Sequence, residues 1–323
     1  MRPRLLVLDD WEGRLARSEG VRRMRELADV TVLDRPLAEV PDADLADVEH
    51  LMAVRERTRF DAATFDRLPA LRVVLQSGGH AYHLDAAAAR ERGIVVTHGR
   101  RAHGPRAAVP ELTFALMIGA LRHFPVALRE MDAGAWPALT GRTLAGRRLG
   151  LLGTGRHGTN VARIAQAFGM DVVAWARPGS AGANPEIPRV PLPELLATCD
   201  VVSIHLRLSD EVHGLLGAGE LASMREGSVL VNTSRGAIVD EHALVEALRA
   251  GPLAAAGLDV FAHEPLAADS PLRSLPNALL TPHVGWTVDE VLDEFATMAA
   301  DQLEAYLGGT LSPDELNPGA AGL

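Results

Sequence analysis

One stretch limits what this chain can fold into more than any other: Leu149 to Arg177, reading LGLLGTGRHGTNVARIAQAFGMDVVAWAR. Leu149 to Leu152 is an apolar run fit for a buried strand, and it stops at a cluster of glycines, Gly153, Gly155 and Gly158. From Thr159 to Phe168 the apolar residues Val161, Ile164, Ala165 and Phe168 recur at helical spacing, and Val172-Val173-Ala174-Trp175 reads as a second buried strand. The pattern predicts a strand–helix–strand unit with its glycines at the first turn. In that position one glycine permits a tight turn, the next lets a pyrophosphate approach bare backbone, and the last lets helix pack closely on strand. Glycines at this spacing mean little alone, but here they close a strand and open a helix, which is the context a dinucleotide site requires.

The loop Gly153-Thr154-Gly155-Arg156-His157-Gly158 is therefore expected to hold a dinucleotide. An acid is expected at the end of the second strand, to bind ribose hydroxyls, but the chain offers Ala176 and then Arg177. Without a carboxylate to repel it, a 2′-phosphate is tolerable there, and a guanidinium binds one as a fork. The cofactor is read as NAD(H) or NADP(H), with NADP slightly favoured.

Composition excludes several other chemistries. At 323 residues the chain suits two domains, each with its own core. A net charge of −10 argues against a nucleic-acid footprint, so no nucleic-acid partner is expected. There is no lysine: all 32 basic residues are arginine, which removes Schiff-base chemistry and a P-loop lysine. Cys199 is the single cysteine, so no intrachain disulfide can form, and it is expected to pack as a small buried hydrophobe. No metal site is expected, since no histidine pair stands at ligand spacing on a helix. Neither a membrane-spanning apolar run nor a signal peptide's apolar core is visible, so the expectation is a cytoplasmic protein with no membrane partner.

The chain in order alternates strand with helix, the pattern of a parallel sheet covered on both faces. Strands are expected at Leu5–Leu8, Val30–Leu33, Leu51–Val54, Leu71–Leu75 and Ile94–Thr97, with a glycine loop, Gln76 to Asp85, just past the fourth. A basic connector from His98 to Arg106 marks a domain boundary, and a long apolar helix is expected to begin with Pro110 in its first turn. Further strands are expected at Val201–Leu206, Ser228–Asn232, Leu258–Phe261 and Ala278–Thr281, then one long helix from Val288 to Leu307 and a frayed tail from Ser312.

Three loops at strand ends in the second half each carry one reactive side chain: Arg235, Glu264 and His283. All three should project from the carboxyl edge of the dinucleotide-binding sheet. Reducing a 2-keto acid needs a cation for the carboxylate and carbonyl, a proton for the new alkoxide, and a hydride. Arginine and histidine suit the first two, and a carboxylate beside the histidine favours its charged form. Asp259 could face the nicotinamide amide.

These residues resemble the D-isomer-specific 2-hydroxyacid dehydrogenases over nearly the whole chain. Leu195 to Leu208, with His205, resembles that family's second signature, and Asn232 to Asp240, Gly257 to Pro265 and Thr281 to Gly285 resemble the later ones. The resemblance implies two Rossmann-like or flavodoxin-like α/β domains with parallel sheets and an active cleft between them. Residues 1–103 with 288–323 would form the substrate-binding domain and residues 104–287 the dinucleotide-binding domain, with a homodimer through the latter. It further implies that Arg235 binds substrate, Glu264 orients and charges His283, and His283 exchanges the proton. The carboxylate-binding loop falls on Gly78, Gly79 and His80, and Thr233 joins the cofactor residues. No appended regulatory domain is expected.

The chain departs from that family at several positions. His80 replaces a frequent glycine, Arg207 stands where proline is usual and offers a second phosphate partner, and Trp286 is bulky where small residues are common. The alternatives are a dinucleotide-sensing corepressor-like binding protein, which would need no Arg235, Glu264 and His283, and a formate dehydrogenase-like enzyme, which pairs the histidine with glutamine where Glu264 stands.

Overall fold

Apolar residues in these short runs alternate between two faces, and both faces are covered. In the computed structural model, which describes residues 2–99, 102–177 and 184–320, the chain divides into two units: Met1–Gly104 with Thr287–Leu323, and Pro105–Trp286. Arg100 and Arg101 of the basic connector lie outside the described residues.

In the first unit β1 (Arg4–Val7), β2 (Asp29–Val32), β3 (Val48–Ala53), β4 (Val73–Gln76) and β5 (Val95–His98) pair in parallel, in the order β2-β1-β3-β4-β5. This is the flavodoxin-like order. Its crossovers include α1 (Glu19–Leu27), α2 (Ala62–Asp66) and α3 (Ala86–Glu91), whose starts are capped by Ser18, Asp61 and Asp85 accepting backbone N–H groups.

The second unit opens with α4 (Pro105–Leu121) and α5 (Phe124–Asp132). Then follow β6 (Arg148–Leu152), α6 (Arg156–Ala167), β7 (Asp171–Trp175), α7 (Leu192–Thr198), β8 (Val201–Ile204) and α8 (Ala218–Ala222). β9 (Ser228–Asn232), α9 (Glu241–Ala250), β10 (Leu253–Leu258) and β11 (Ala278–Leu280) complete it. Its strands are parallel in the order β11-β10-β9-β8-β6-β7, so the order reverses between β6 and β8. Val229 and Val231 face one apolar layer with Phe114, Leu116 and Val161, while Leu230 faces the other with Leu195, Leu244 and Ile204. Gly150 leaves the room that Leu195 fills: a Cβ there would stand 2.5 Å from Leu195 Cδ2. Cys199 is fully buried in the same layer, and burial pushes its thiol up to about 11.

The structure corrects the expected elements in three places. Pro110 does not start α4 but lies inside it, five residues after Pro105. A proline there leaves the carbonyl four residues earlier without its partner, and Asn160 Nδ2 donates to that Arg106 oxygen at 3.0 Å. The strand expected at Leu258–Phe261 ends at Leu258, and Asp259 N makes one last bond to the neighbouring strand, donating to Asn232 O at 2.9 Å. The tail is not frayed through Ala320: Leu316 bridges antiparallel to Thr97, Asn317 N donates to Val96 O at 2.8 Å, and Ala320 is buried.

α10 (Asp289–Leu307) belongs to the first unit, where its apolar side, including Phe295, Ala296 and Leu303, packs on α1. The two helices approach so closely that a Cβ at Gly20 would sit 2.1 Å from Ala296 C. Burying Phe295 and Leu303 contributes roughly 1.5–3 kcal/mol each. Among the described residues no single helix is long and apolar enough to cross a membrane; only the bent pair α4 and α5 together reach that composition, and α4 buries much of its surface in the protein core.

Candidate active site

The glycine loop lies where β6 gives way to α6, beside the point at which the strand order reverses, the usual place for a ligand in an open α/β sheet. Gly153 has φ +96°, and a Cβ there would stand 2.8 Å from His205 O. A Cβ at Gly158 would stand 2.1 Å from Gly153 O, so the third glycine holds helix against loop. At Gly155 a Cβ would meet nothing within 4 Å. Gly155 caps α6 without any side-chain acceptor, and the first turn carries no acid. Uncapped N–H groups, a positive helix end and open space fit the pyrophosphate of a dinucleotide. Of the other loop residues, Thr154 is buried with its carbonyl accepting from Thr159 Oγ1, Arg156 is exposed and His157 is half-buried.

Three further loops at the same sheet's carboxyl edge carry Arg235, Glu264 and His283. Asn232 ends β9 and clamps the first of them: its Nδ2 donates to Arg235 O at 3.0 Å and its Oδ1 accepts from Ser234 N at 3.0 Å. Ser234 Oγ donates to Leu206 O, and Thr233 Oγ1 shares a 2.9 Å hydrogen bond with Thr113 of α4. Gly236 lets this loop press on the next, since a Cβ there would be 1.9 Å from Phe261 C. Arg235 is thereby brought near enough to Glu264 for its charge to act on that carboxyl.

Both carboxylate oxygens of Glu264 are engaged. Oε1 accepts from Phe261 N at 2.9 Å and Oε2 meets His283 Nδ1 at 2.6 Å. Burial acts to raise this carboxyl, but the hydrogen bond and charge of His283, the Phe261 amide and Arg235 outweigh it, so it sits below the ordinary carboxylate range. His283 holds φ +56°, an uncommon backbone for a side chain of this size. What fixes it is Asp259, 1% exposed, whose Oδ1 accepts from Thr281 Oγ1 at 2.6 Å and Val284 N at 2.9 Å, and whose Oδ2 accepts from Gly285 N at 2.8 Å. Burial raises the Asp259 carboxyl despite these donors and the charge of His283. All three donors flank His283, so Asp259 ties its loop to the end of β10. Trp286, next in the chain, is 5% exposed and offers little surface to a ligand.

His205 follows β8, and its Nε2 lies 2.9 Å from Ser203 Oγ. Burial, with His157 beside it, pushes its imidazolium down to about 3, so the ring is neutral at ordinary pH. Ala176 and Arg177 follow β7 and are half-buried. Arg177 Nη1 pairs with Glu211 Oε2 and lies 3.3 Å from Ser209 Oγ; Arg207, exposed, projects from the same loop after β8.

In the first unit, Gly78, Gly79 and His80 follow β4. A Cβ on Gly79 would meet nothing within 4 Å, whereas Gly78 is backed by Arg55. His80 Nδ1 stands 3.2 Å from Glu56 Oε1 and its ring stacks on Tyr82 at 4.5 Å between centroids. His83, in the same loop, has neither ring nitrogen hydrogen-bonded among the described residues, and burial pushes it down to about 4.

Sequence reasoning missed Glu211, the clamp made by Asn232, and the tie made by Asp259. The last had a signal: an acid directly after a strand and a Thr-Pro-His-Val-Gly loop rich in donors.

Residues 114–285 match the family described as D-isomer specific 2-hydroxyacid dehydrogenase, NAD binding domain. The chain is 38% identical over 270 residues to a glyoxylate reductase of Aeropyrum pernix, covering 80% of each chain. It is 36% identical over 291 residues to a D-3-phosphoglycerate dehydrogenase of Mycobacterium tuberculosis, covering 88% of this chain and 53% of that one. The chain thus spans about half the length of the phosphoglycerate dehydrogenases it matches. A crystal structure of a Thermus thermophilus protein is similar with a TM-score of 0.84 and 39% identity, over 96% of this chain and 98% of that one.

Proposed function

This chain belongs to the D-isomer-specific 2-hydroxyacid dehydrogenases, and we propose that it interconverts a small 2-keto acid and the corresponding D-2-hydroxy acid with NAD(H) or NADP(H). The observation that carries this reading is the 2.6 Å hydrogen bond between His283 Nδ1 and Glu264 Oε2, with Arg235 beside it. A bound nicotinamide supplies the hydride for reduction or takes it up in oxidation. Arg235 holds the substrate carboxylate through its fork and polarises the carbonyl. With Nδ1 committed to Glu264, His283 presents Nε2 to the carbonyl oxygen, donating a proton in reduction and withdrawing it in oxidation. Glu264, ionised, fixes the ring's orientation and balances its charge.

The first unit acts as the substrate-binding domain, with Gly78, Gly79 and His80 contributing backbone N–H groups and an imidazole for the carboxylate. The second unit acts as the dinucleotide-binding domain. Arg177 and Arg207 are the groups for a 2′-phosphate, which slightly favours NADP. The chain functions in the cytoplasm as a homodimer. Its contact is the face formed by α5 and the segment after it, where Phe124, Leu128, Met131, Trp136 and Leu139 are exposed, Trp136 by 88%. Replacing Leu128 with Asp should then halve the mass seen by light scattering.

The test of activity crosses NADH and NADPH with glyoxylate, hydroxypyruvate, pyruvate and larger keto acids, following loss of the reduced nicotinamide's absorbance. Turnover with at least one acid is expected. Background rates with every acid, despite dinucleotide binding, would replace this reading with the corepressor-like one.

A further inference from the structure

Arg177 already has an anionic partner. The order β8-β6-β7 places the loop after β7 and the loop after β8 on either side of the glycine loop after β6. From one side comes Arg177; from the other come Ser209, 3.3 Å from its Nη1, and Glu211, which pairs with the same nitrogen. The pair is solvent-facing, with side chains 42% and 67% exposed, and among the described residues no backbone N–H donates to the Glu211 carboxylate. An exposed pair of this kind contributes little to stability and exchanges readily for another anion.

We propose that Glu211 competes with the cofactor's 2′-phosphate for the Arg177 guanidinium, so that the charge of Glu211, and not Arg177 alone, sets the preference between NADP and NAD. The proposal rests on the dinucleotide-binding reading above. Glu211 occupies Nη1, one of the two terminal nitrogens that a phosphate would take as a fork. A phosphomonoester carries roughly −1.5 to −2 at neutral pH, so it must displace Glu211 and still bind beside its charge. The 2′-hydroxyl of NAD is neutral and meets no such repulsion. Asp210 adds a second exposed acid and Arg207 an exposed cation to the loop after β8. Removing the Glu211 charge leaves the Arg177 guanidinium without its anionic partner.

The test is equilibrium binding of NADPH and NADH to the full chain by calorimetry, at low and high salt, for the parent, Glu211→Gln, Glu211→Asp and Arg177→Ala. Glu211→Gln should raise the NADPH-over-NADH affinity ratio on the order of tenfold at low salt. The gain should shrink at about 1 M salt, where the Debye length is roughly 3 Å. Glu211→Asp, which keeps the charge, should stay closer to the parent than to the amide, and Arg177→Ala should lower the ratio. A ratio in Glu211→Gln within about twofold of the parent, or an equal gain in Glu211→Asp, overturns the proposal. So does an unchanged ratio in Arg177→Ala, since no competition then exists. Loss of binding of both dinucleotides by the parent would defeat the dinucleotide reading as well, whereas normal binding without keto-acid turnover defeats only the catalytic one.

Discussion

Two acid–base pairs stand at the carboxyl edge of the same six-stranded sheet, and they are built differently. In His283–Glu264 the side chains are 24% and 34% exposed, and in Arg177–Glu211 they are 42% and 67% exposed. The first pair is held mainly by backbone: Phe261 N on Glu264, and Val284 N and Gly285 N, with the Thr281 hydroxyl, on the Asp259 that fixes the histidine loop. In the second, Ser209 Oγ is the one further hydrogen-bond partner of Arg177 Nη1 among the described residues. An ion pair locked by backbone donors is preorganised for one geometry; an exposed pair is a replaceable counter-ion. On the functions proposed above, the contrast separates a catalytic part from a cofactor selector.

The largest effect should come from breaking the locked pair at its proton-carrying end. Replacing His283 with Ala should lower kcat for keto-acid reduction on the order of a hundredfold or more, and a loss under about threefold would take the ring out of the mechanism. Next comes Glu264→Gln, which keeps shape and removes charge; kcat should fall on the order of tenfold. The Glu264 carboxyl is depressed in the fold, so its stabilisation is present above the unfolded value and is lost as pH falls through the folded one. Melting temperature in that acid window should therefore fall less steeply for the Gln variant than for the parent. A kcat within about twofold of the parent would reduce Glu264 to a loop anchor.

The locked pair was legible in sequence and the exposed one was not, for a physical reason. Arg235, Glu264 and His283 each follow a run of apolar strand residues, and strand ends on a parallel sheet fall on one edge, so three distant positions could be placed together from periodicity alone. Glu211 lies 34 residues after Arg177 in a single 3-10 turn, Asp210–Val212, and no period reports how the loop that carries it folds back. Pro110 misled because proline suits a helix start; only Asn160, 50 residues later, supplies the donor that lets it sit inside α4. The tail misled because its Pro and Gly content resembles an unstructured end, whereas two contacts to β5 anchor it.

Asp259→Asn tests the frame of the locked pair instead of the pair itself. The carboxylate meets three donors and no acceptor, so an amide nitrogen must face an N–H or a hydroxyl donor without a partner. Leaving that buried group unpaired should cost about 1–3 kcal/mol of stability, read as a lower denaturant midpoint at unchanged slope. If Asp259 acts by holding φ +56° at His283, kcat should drop while KM changes little. A variant as stable as the parent would show that the loop keeps its shape without the tie.

The smallest effect should lie at the exposed pair. Arg177→Asp replaces the cation that a 2′-phosphate needs with an anion next to Glu211, yet touches nothing buried. Reduction with NADPH should then weaken several-fold more than reduction with NADH, chiefly in KM, because the altered charge meets the ground state and the transition state alike. Added salt should narrow the gap, since both charges are open to solvent. Equal losses with the two dinucleotides would mean that the 2′ position lies out of reach of this guanidinium. The exposed pair would then be an ordinary surface contact, and the difference between the two pairs would no longer map onto catalysis and cofactor choice.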